Sequence, residues 1–309
     1  MNIKELIKKG RKDTKDSTLR VYEMNLKKLN HDKEITSLKF LEDTKHIFEK
    51  LKDKKNNTQR NYLSAVLTVL SVTDKKELYN KYRKRFDELT IEIKKHNTSN
   101  TKNEKQEKNW ATIDELKTVM NAYRKYLRNK KILDGKAAYP LSKDDFTILQ
   151  YYLICALYLL QPPRRLNYNM KIIRDKKENV DKDTNYLLIK SRNNKKFIFN
   201  KFKTKKDEQP SIIDDVPSEI NKIINVVLKY NKTDNLILDS RDKPINQSQL
   251  GKMITLAFKP SGKVISVSLL RSIYISENIN LDAIKKAKQM AKDMMHTTNV
   301  QQSVYLKED

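Results

Sequence analysis

Residues 146–165 read FTILQYYLICALYLLQPPRR, and this stretch decides what kind of fold the chain can build. From Phe146 to Leu160 apolar side chains fall on every side of a 3.6-residue period, so a helix here has no face to offer water and is expected to be buried all round. Pro162 and Pro163 end it, because proline has no N–H to give a helix interior and its ring clashes with the turn before it. Arg164 and Arg165 come at once after them.

On the C-terminal side the period changes to two at 186–189, 197–202 and 211–216, with Asn, Lys, Asp or Pro in the turns between, which predicts a small antiparallel sheet. Beyond Pro217 the pattern is helical again: Ile220, Ile223, Ile224, Val227 and Leu228 share one face, and further helices are expected near 248–258, 267–275 and 281–294. On the N-terminal side Trp110 opens a helical pattern carrying Leu116, Val119, Met120, Tyr123 and Leu127. Before it, 97–109 (NTSNTKNEKQEKN) has no apolar side chain and is expected to be an exposed tether. The first part reads as four helices, marked by Leu19, Tyr22, Leu26 and Leu29 behind the cap candidates Asp16 and Ser17, then by Leu41, Phe48 and Leu51, by Tyr62, Leu63, Val66, Leu67 and Leu70, and by Leu78, Tyr82, Phe86, Leu89 and Ile93. The expectation is a mainly α chain with a small antiparallel sheet: a helical domain at 1–96, a linker at 97–109 and a mixed domain at 110–309.

The 309 residues hold 65 Lys+Arg against 39 Asp+Glu, a net +26, with +11 up to residue 109 and +15 beyond it. So large a charge works against compaction and points to a polyanion, with nucleic acid the default partner. The plainer alternative is the Lys and Asn bias of an AT-rich genome, and for any one surface cation an ordinary solvated face. No apolar run reaches the roughly 18–20 residues of a membrane span, and residues 1–10 are charged instead of signal-like, so a soluble protein is expected. Cys155 is alone and His31, His46, His96 and His296 are scattered, which leaves neither a disulfide framework nor a Cys/His zinc site. Four glycines form no phosphate-cradling loop, against nucleotide-driven motors and dinucleotide oxidoreductases.

Several short stretches carry the chemistry. QPPRRLN sets Arg164 after the buried helix with Asn167 three places on; FIFNKFKTKK offers Lys203; SLLR gives Ser268 and Arg271; MMHTTNVQQSVYLK places His296 nine residues before Tyr305. Their order resembles the boxes of the tyrosine recombinases, the phage-integrase family, and the resemblance spans essentially the whole chain. It implies an N-terminal core-binding domain and a C-terminal catalytic domain that clamp DNA, with the basic residues Arg60, Lys81, Arg83, Lys84, Arg85 and Arg165 as candidate DNA contacts. It also implies a site-specific recombinase or integrase from a virus or mobile element, a homotetramer on double-stranded DNA, with no metal or small-molecule cofactor, acting wherever its target DNA resides.

The implied roles match the residue types. Tyr305 attacks phosphorus, Arg164 and Arg271 hold the non-bridging oxygens with planar forks, Lys203 protonates the leaving 5′ oxygen, and His296 adds a donor or takes the tyrosine's proton. Arg165 competes with Arg164, and Lys201, Lys205 and Lys206 compete with Lys203. Ser268 stands where the family has histidine and Asn167 where it has a carboxylate, and the tyrosine is trailed only by 306–309. Two other functions stay open: a type IB topoisomerase-like relaxing enzyme, and a non-catalytic DNA-binding protein with a decayed site. A two-metal enzyme would need carboxylate clusters, for which Asp144, Asp145, Asp214 and Asp215 are the visible pairs.

Overall fold

The computed structural model describes residues 1–305 apart from Asn100, 175–179, Asp207, Ser240 and Arg241, and apart from the side chains of His96 and Asn97. The short tail at 306–309, noted above as trailing Tyr305, lies outside the described residues. The chain divides into two compact units, Met1–Lys102 and Asn103–Asp309.

The first unit is helical: α1 (Ile3–Gly10), α2 (Asp16–Leu29), a 3-10 turn (Lys39–Leu41), α3 (Thr44–Lys52), α4 (Asn56–Leu70) and α5 (Lys76–Thr98). The four expected helices begin at α2, and α1 is an additional one whose Ile3, Leu6 and Ile7 keep the helical spacing. Ile3 and Ile7, one turn apart, bury themselves in this unit's core, and Gly10 lets α1 end against α4, where a Cβ would stand 2.1 Å from the Thr68 carbonyl oxygen. The expected caps Asp16 and Ser17 lie inside the first turn of α2, which starts after Lys15 with no side-chain cap. Leu26, Leu41, Val66, Tyr82 and Leu89 are fully buried, and the Tyr82 hydroxyl donates to the Leu41 carbonyl at 2.7 Å, tying α5 to the 3-10 turn.

The second unit holds α6 (Glu104–Asn109), α7 (Ile113–Asn129), α8 (Lys143–Leu159), β1 (Lys171–Ile173), β2 (Tyr186–Ile189), β3 (Lys195–Phe199), β4 (Ile212–Asp215), α9 (Ser218–Tyr230), α10 (Gln247–Ala257), α11 (Val267–Asn278), α12 (Leu281–Asp293), α13 (Thr298–Val300) and a π-type turn (Gln301–Tyr305). The all-round apolar stretch from Phe146 forms α8, and it packs against α7, α9 and α10 with Leu149, Leu153, Ile154, Ala156 and Leu157 fully buried. Its one deeply buried amide, Gln150, accepts the Leu238 N–H at 2.8 Å. The Cys155 thiol is enclosed in the same helix, and burial pushes its pKa up.

Two expectations are corrected. The sheet is mixed, not antiparallel: its order is β1-β2-β3-β4, β2–β3 and β3–β4 are antiparallel, and β1 runs parallel to β2. β1 has three residues, too few to show a period, and it is held by long-range partners, with Ile172 N–H donating to Asp234 O and Lys171 N–H to Asn185 O. The expected 13-residue tether is largely helical, since α5 runs to Thr98 and α6 begins at Glu104 behind a reciprocal Asn103–Gln106 capping box. Asn109, polar but 8% exposed, accepts the Val264 N–H at 2.7 Å and donates to Lys105 O. Among the described residues no helix is long and apolar enough to cross a membrane.

Asn109→Ala strands the Val264 N–H and is expected to lower the unfolding free energy by about 1–3 kcal/mol. Denaturant unfolding of the full chain checks this, and a variant as stable as the parent would show that the bond contributes nothing.

Candidate active site

Arg164 leaves the end of α8 in a turn that the helix itself fixes. The Tyr158 hydroxyl donates to Arg165 O at 2.7 Å, and the Gln161 amide donates to Leu157 O and to the Tyr168 hydroxyl at 3.3 and 2.6 Å. Both tyrosines are buried, and desolvation holds their pKa values far above the ordinary phenol range. The two arginines then part. Arg165 stays exposed, while Arg164 turns back onto the sheet, its guanidinium 4.3 Å from the centre of the Phe199 ring and one Nη2 donating to the Asp214 carboxylate. The geometry favours Arg164 over Arg165 for a role inside the site.

Asn167 does not touch Arg164. It is buried, its amide donates to Lys201 O at 3.1 Å, and its carbonyl accepts from the Asn185 amide at 3.1 Å. Asn185 also binds both sides of the Lys201 peptide backbone, accepting from its N–H and donating to its carbonyl. Three polar groups thus pin the chain where β3 gives way to the lysine-rich loop. Lys201 has an ion pair with Asp183 at 3.4 Å, whereas Lys203, two residues on and exposed in a turn, has no hydrogen bond or ion pair with the described residues. Lys205 and Lys206 lie further round the same loop. The strand ends at Phe199, so Lys203 sits in the loop beyond it and not in the sheet.

Ser268 and Arg271 lie three residues apart near the start of α11 and so share a face. Ser268 is exposed and Arg271 half-buried, and the Arg271 guanidinium has no ion pair or hydrogen bond among the described residues. His296 is presented by the end of α12, where Met295 adopts the left-handed φ of 56° and the His296 N–H reaches back to Ala291 O at 3.0 Å. Its Nδ1 lies 3.2 Å from Thr297 O, and since a carbonyl only accepts, Nδ1 is the donor of that contact. Its Nε2 is buried without a partner among the described residues, as is the Gln301 Oε1. The π-type turn brings Tyr305 back onto His296 with ring centroids 5.3 Å apart and planes 19° from parallel, leaving Tyr305 61% exposed.

The structure therefore forms three groups: Arg164 on the sheet, Ser268 with Arg271 on α11, and His296 with Tyr305 at the end of α12. Among the described residues no hydrogen bond, ion pair or ring contact joins one group to another. Sequence reasoning missed Asp214 and Phe199 as Arg164's partners, having weighed Asp214 and Asp215 only as metal ligands; Asp215 instead pairs with Lys196 at 3.0 Å. The other pair lies in the first turn of α8, behind the Ser142 cap, with Asp145 accepting from the Tyr126 and Ser142 hydroxyls at 2.7 and 2.8 Å.

In the first unit the basic candidates differ in what they can still bind. Arg60 and Arg83 both lie over the Phe86 ring, at 4.8 and 5.5 Å; Arg60 also donates to Thr90, and Arg83 pairs with Asp87 at 2.9 Å. Arg85 reaches Glu88 and Gln59. Lys81 and Lys84 are exposed with no partner among the described residues. No protein-family model matches the chain, and no curated protein matches it.

Because Arg164 and Asp214 are both about one-third exposed or more, Asp214→Asn is expected to change stability by less than about 1 kcal/mol. Asn167→Ala, which removes a buried amide holding Lys201, is expected to cost about 1–3 kcal/mol. Denaturant titration separates the two, and the reverse order would mean that Asp214, not Asn167, supports the fold.

Proposed function

We propose that the protein is a site-specific DNA recombinase or integrase that cuts and rejoins DNA through a 3′-phosphotyrosine, with a helical DNA-binding first unit and a catalytic second unit like that of the tyrosine recombinases. The observation that carries this reading is the His296–Tyr305 stack. A nine-residue spacing that meant nothing would not be expected to close a turn that stacks an accessible phenol on an imidazole whose Nε2 has no partner among the described residues.

The Tyr305 oxygen attacks phosphorus as the bond to the 5′ oxygen breaks; His296 Nε2 accepts the phenolic proton and Lys203 donates one to the leaving oxygen. Arg164 and Arg271 meet the charge that develops on the non-bridging oxygens. The new ester keeps the bond energy, so attack by a 5′ hydroxyl reverses the step without ATP, and two arginines and a lysine supply the positive charge. Asp214 takes one donor of the Arg164 fork, leaving the remaining N–H groups for phosphate. It supplies from β4 the orienting carboxylate that Asn167 does not. Both units carry excess positive charge, and four protomers on two duplexes complete an exchange.

A second reading, a DNA-binding protein without strand transfer, is favoured by Ser268 and Asn167 and by the lack, among the described residues, of any bond joining the three groups. A nicked suicide duplex in the presence of EDTA decides between them: the parent should become covalently attached through a 3′ phosphate and Tyr305→Phe should not. An adduct that persists in Tyr305→Phe refutes the nucleophile, and no adduct with the parent favours the second reading. Relaxation of supercoils without strand exchange would point to a topoisomerase.

Arg164→Ala and Arg271→Ala should each lose about 2.7–4 kcal/mol of activation free energy with little change in DNA affinity, the scale of a lost oxyanion donor. Asp214→Asn should slow cleavage by the parent yet add nothing to Arg164→Ala, because a group that acts through Arg164 has nothing left to orient. Additive losses would sink that role. A 5′-bridging phosphorothiolate, whose sulfur leaves without a proton, should restore cleavage by Lys203→Ala and not by the arginine variants. Restoration of a Lys201 or Lys205 variant in its place would move the role along the loop.

A further inference from the structure

At the end of β3 away from Arg164, about 13 Å along the strand at ordinary β rise, a cleft of ≈ 690 Å³ opens between α7, α9 and the β2–β3 hairpin. Arg124 and Arg128 stand one turn apart on its α7 wall, Lys222 on its α9 wall and Arg192 on the hairpin, all four exposed. None of these four side chains makes an ion pair or hydrogen bond with the described residues, although the carboxylates of Glu219 and Asp134 line the same cleft. The fifth cation, Lys229, is already engaged by Gly135 O.

The hairpin wall is held by an unusual device. Lys195 is 2% exposed, yet among the described residues its ammonium meets no carboxylate: it donates to Arg192 O at 2.6 Å and to the side-chain oxygens of Asn221 and Asn225, each at 2.7 Å. The amides of Asn221 and Asn225 donate in turn to the same Arg192 carbonyl at 3.1 and 3.0 Å. A buried ammonium without a counter-ion is costly, and what it secures is the backbone from which Arg192 projects into the cleft. Burial pushes the Lys195 pKa down, and the Arg192 charge adds to the fall.

Tyr152 adds a neutral donor to the same cleft. The residue is 4% exposed and lines the cleft, but its hydroxyl has no hydrogen bond to any described residue. The ring is buried but the hydroxyl itself is not sealed, so it is open to donate to whatever occupies the cleft, with Arg124, Glu219, Arg128 and Cys155 nearby. Four cations without a partner among the described residues, an open hydroxyl and a braced wall therefore converge on one concave space.

We propose that this cleft binds a phosphate-bearing ligand, a polyphosphate or a phosphodiester chain, at a site separate from the candidate active site. Guanidinium forks match phosphate oxygens in pairs, and four cations call for several negative charges, which a single carboxylate would not provide. The proposal does not rest on strand transfer and stands or falls without it.

Calorimetric titration of the full chain with tripolyphosphate at low salt tests the site. One saturable event is expected, weakened roughly tenfold or more in Arg124→Gln/Arg128→Gln, the scale of a lost charge-assisted hydrogen bond. Tyr152→Phe, which keeps the ring and the net charge, should weaken it severalfold. Lys288→Gln/Lys292→Gln, which removes the same charge at the same spacing from α12, should leave it nearly unchanged. Absence of saturable binding, equal weakening by both double variants, or an affinity unchanged in both the arginine pair and Tyr152→Phe would overturn the proposal. Within a positive result, a short DNA duplex that displaces tripolyphosphate identifies backbone phosphates as the source, and simultaneous binding identifies a free polyphosphate.

Discussion

A helix that is apolar on every side has to be walled in on every side, and α8 imposes this on the second unit. α7, α9 and α10 lie against it, and each fully buried leucine contributes on the order of 1.5–3 kcal/mol of transfer free energy. The same constraint fixes where the helix stops. Two prolines, the Tyr158 hydroxyl and the Gln161 amide close the last turn within the core, so Arg164 emerges at one reproducible point beside β3 and β4. Without that enclosure a guanidinium on an exposed coil would have no reason to face Phe199 and Asp214.

Positive charge is handled in three ways in this unit, and the difference matters more than the net value. Arg164 shares its charge with a carboxylate and an aromatic face, Lys195 is sealed among neutral oxygens, and Lys203 and Arg271 have no partner among the described residues. An ion pair at partial exposure adds little stability, whereas a sealed ammonium fixes its surroundings because each of its donors must be answered. The unpartnered cations are the ones free to meet an outside anion at once. The first unit repeats the division, with Arg60 and Arg83 held against Phe86 while Lys81 and Lys84 are left open.

The segment from α12 to Tyr305 obeys a different rule. Ala291 is its single buried apolar residue among those described, and Ile284, Met290, Met294 and Val304 are exposed. His296 and Tyr305 are therefore brought together by local means: the left-handed Met295, the Thr297 cap on Val300 and the π-type turn. Elements with so few buried contacts open at small free-energy cost, which suits the role proposed for Tyr305 of reaching a phosphate.

The features that the sequence determined by itself are those that depend on neighbours within a turn or two. The helical character of 146–160, its arrest at Pro162, the apolar β-branched and aromatic runs of β2 and β3, and the His296 to Tyr305 spacing are all local, and propensity and periodicity report them. β1 was illegible because three residues carry no period and its partners come from 185 and 234. The polar run before Trp110 misled for the same reason: Asn109 is buried by a bond to Val264, and nothing nearby announces it. Tertiary structure alone decided that Asp214 would hold Arg164, fifty residues away, that Asn167 would turn to Lys201, and that Lys195 would be enclosed by α9. Each of these bonds joins groups distant in sequence, and a side chain's partner across such a distance is set by how whole elements pack, which no local pattern encodes.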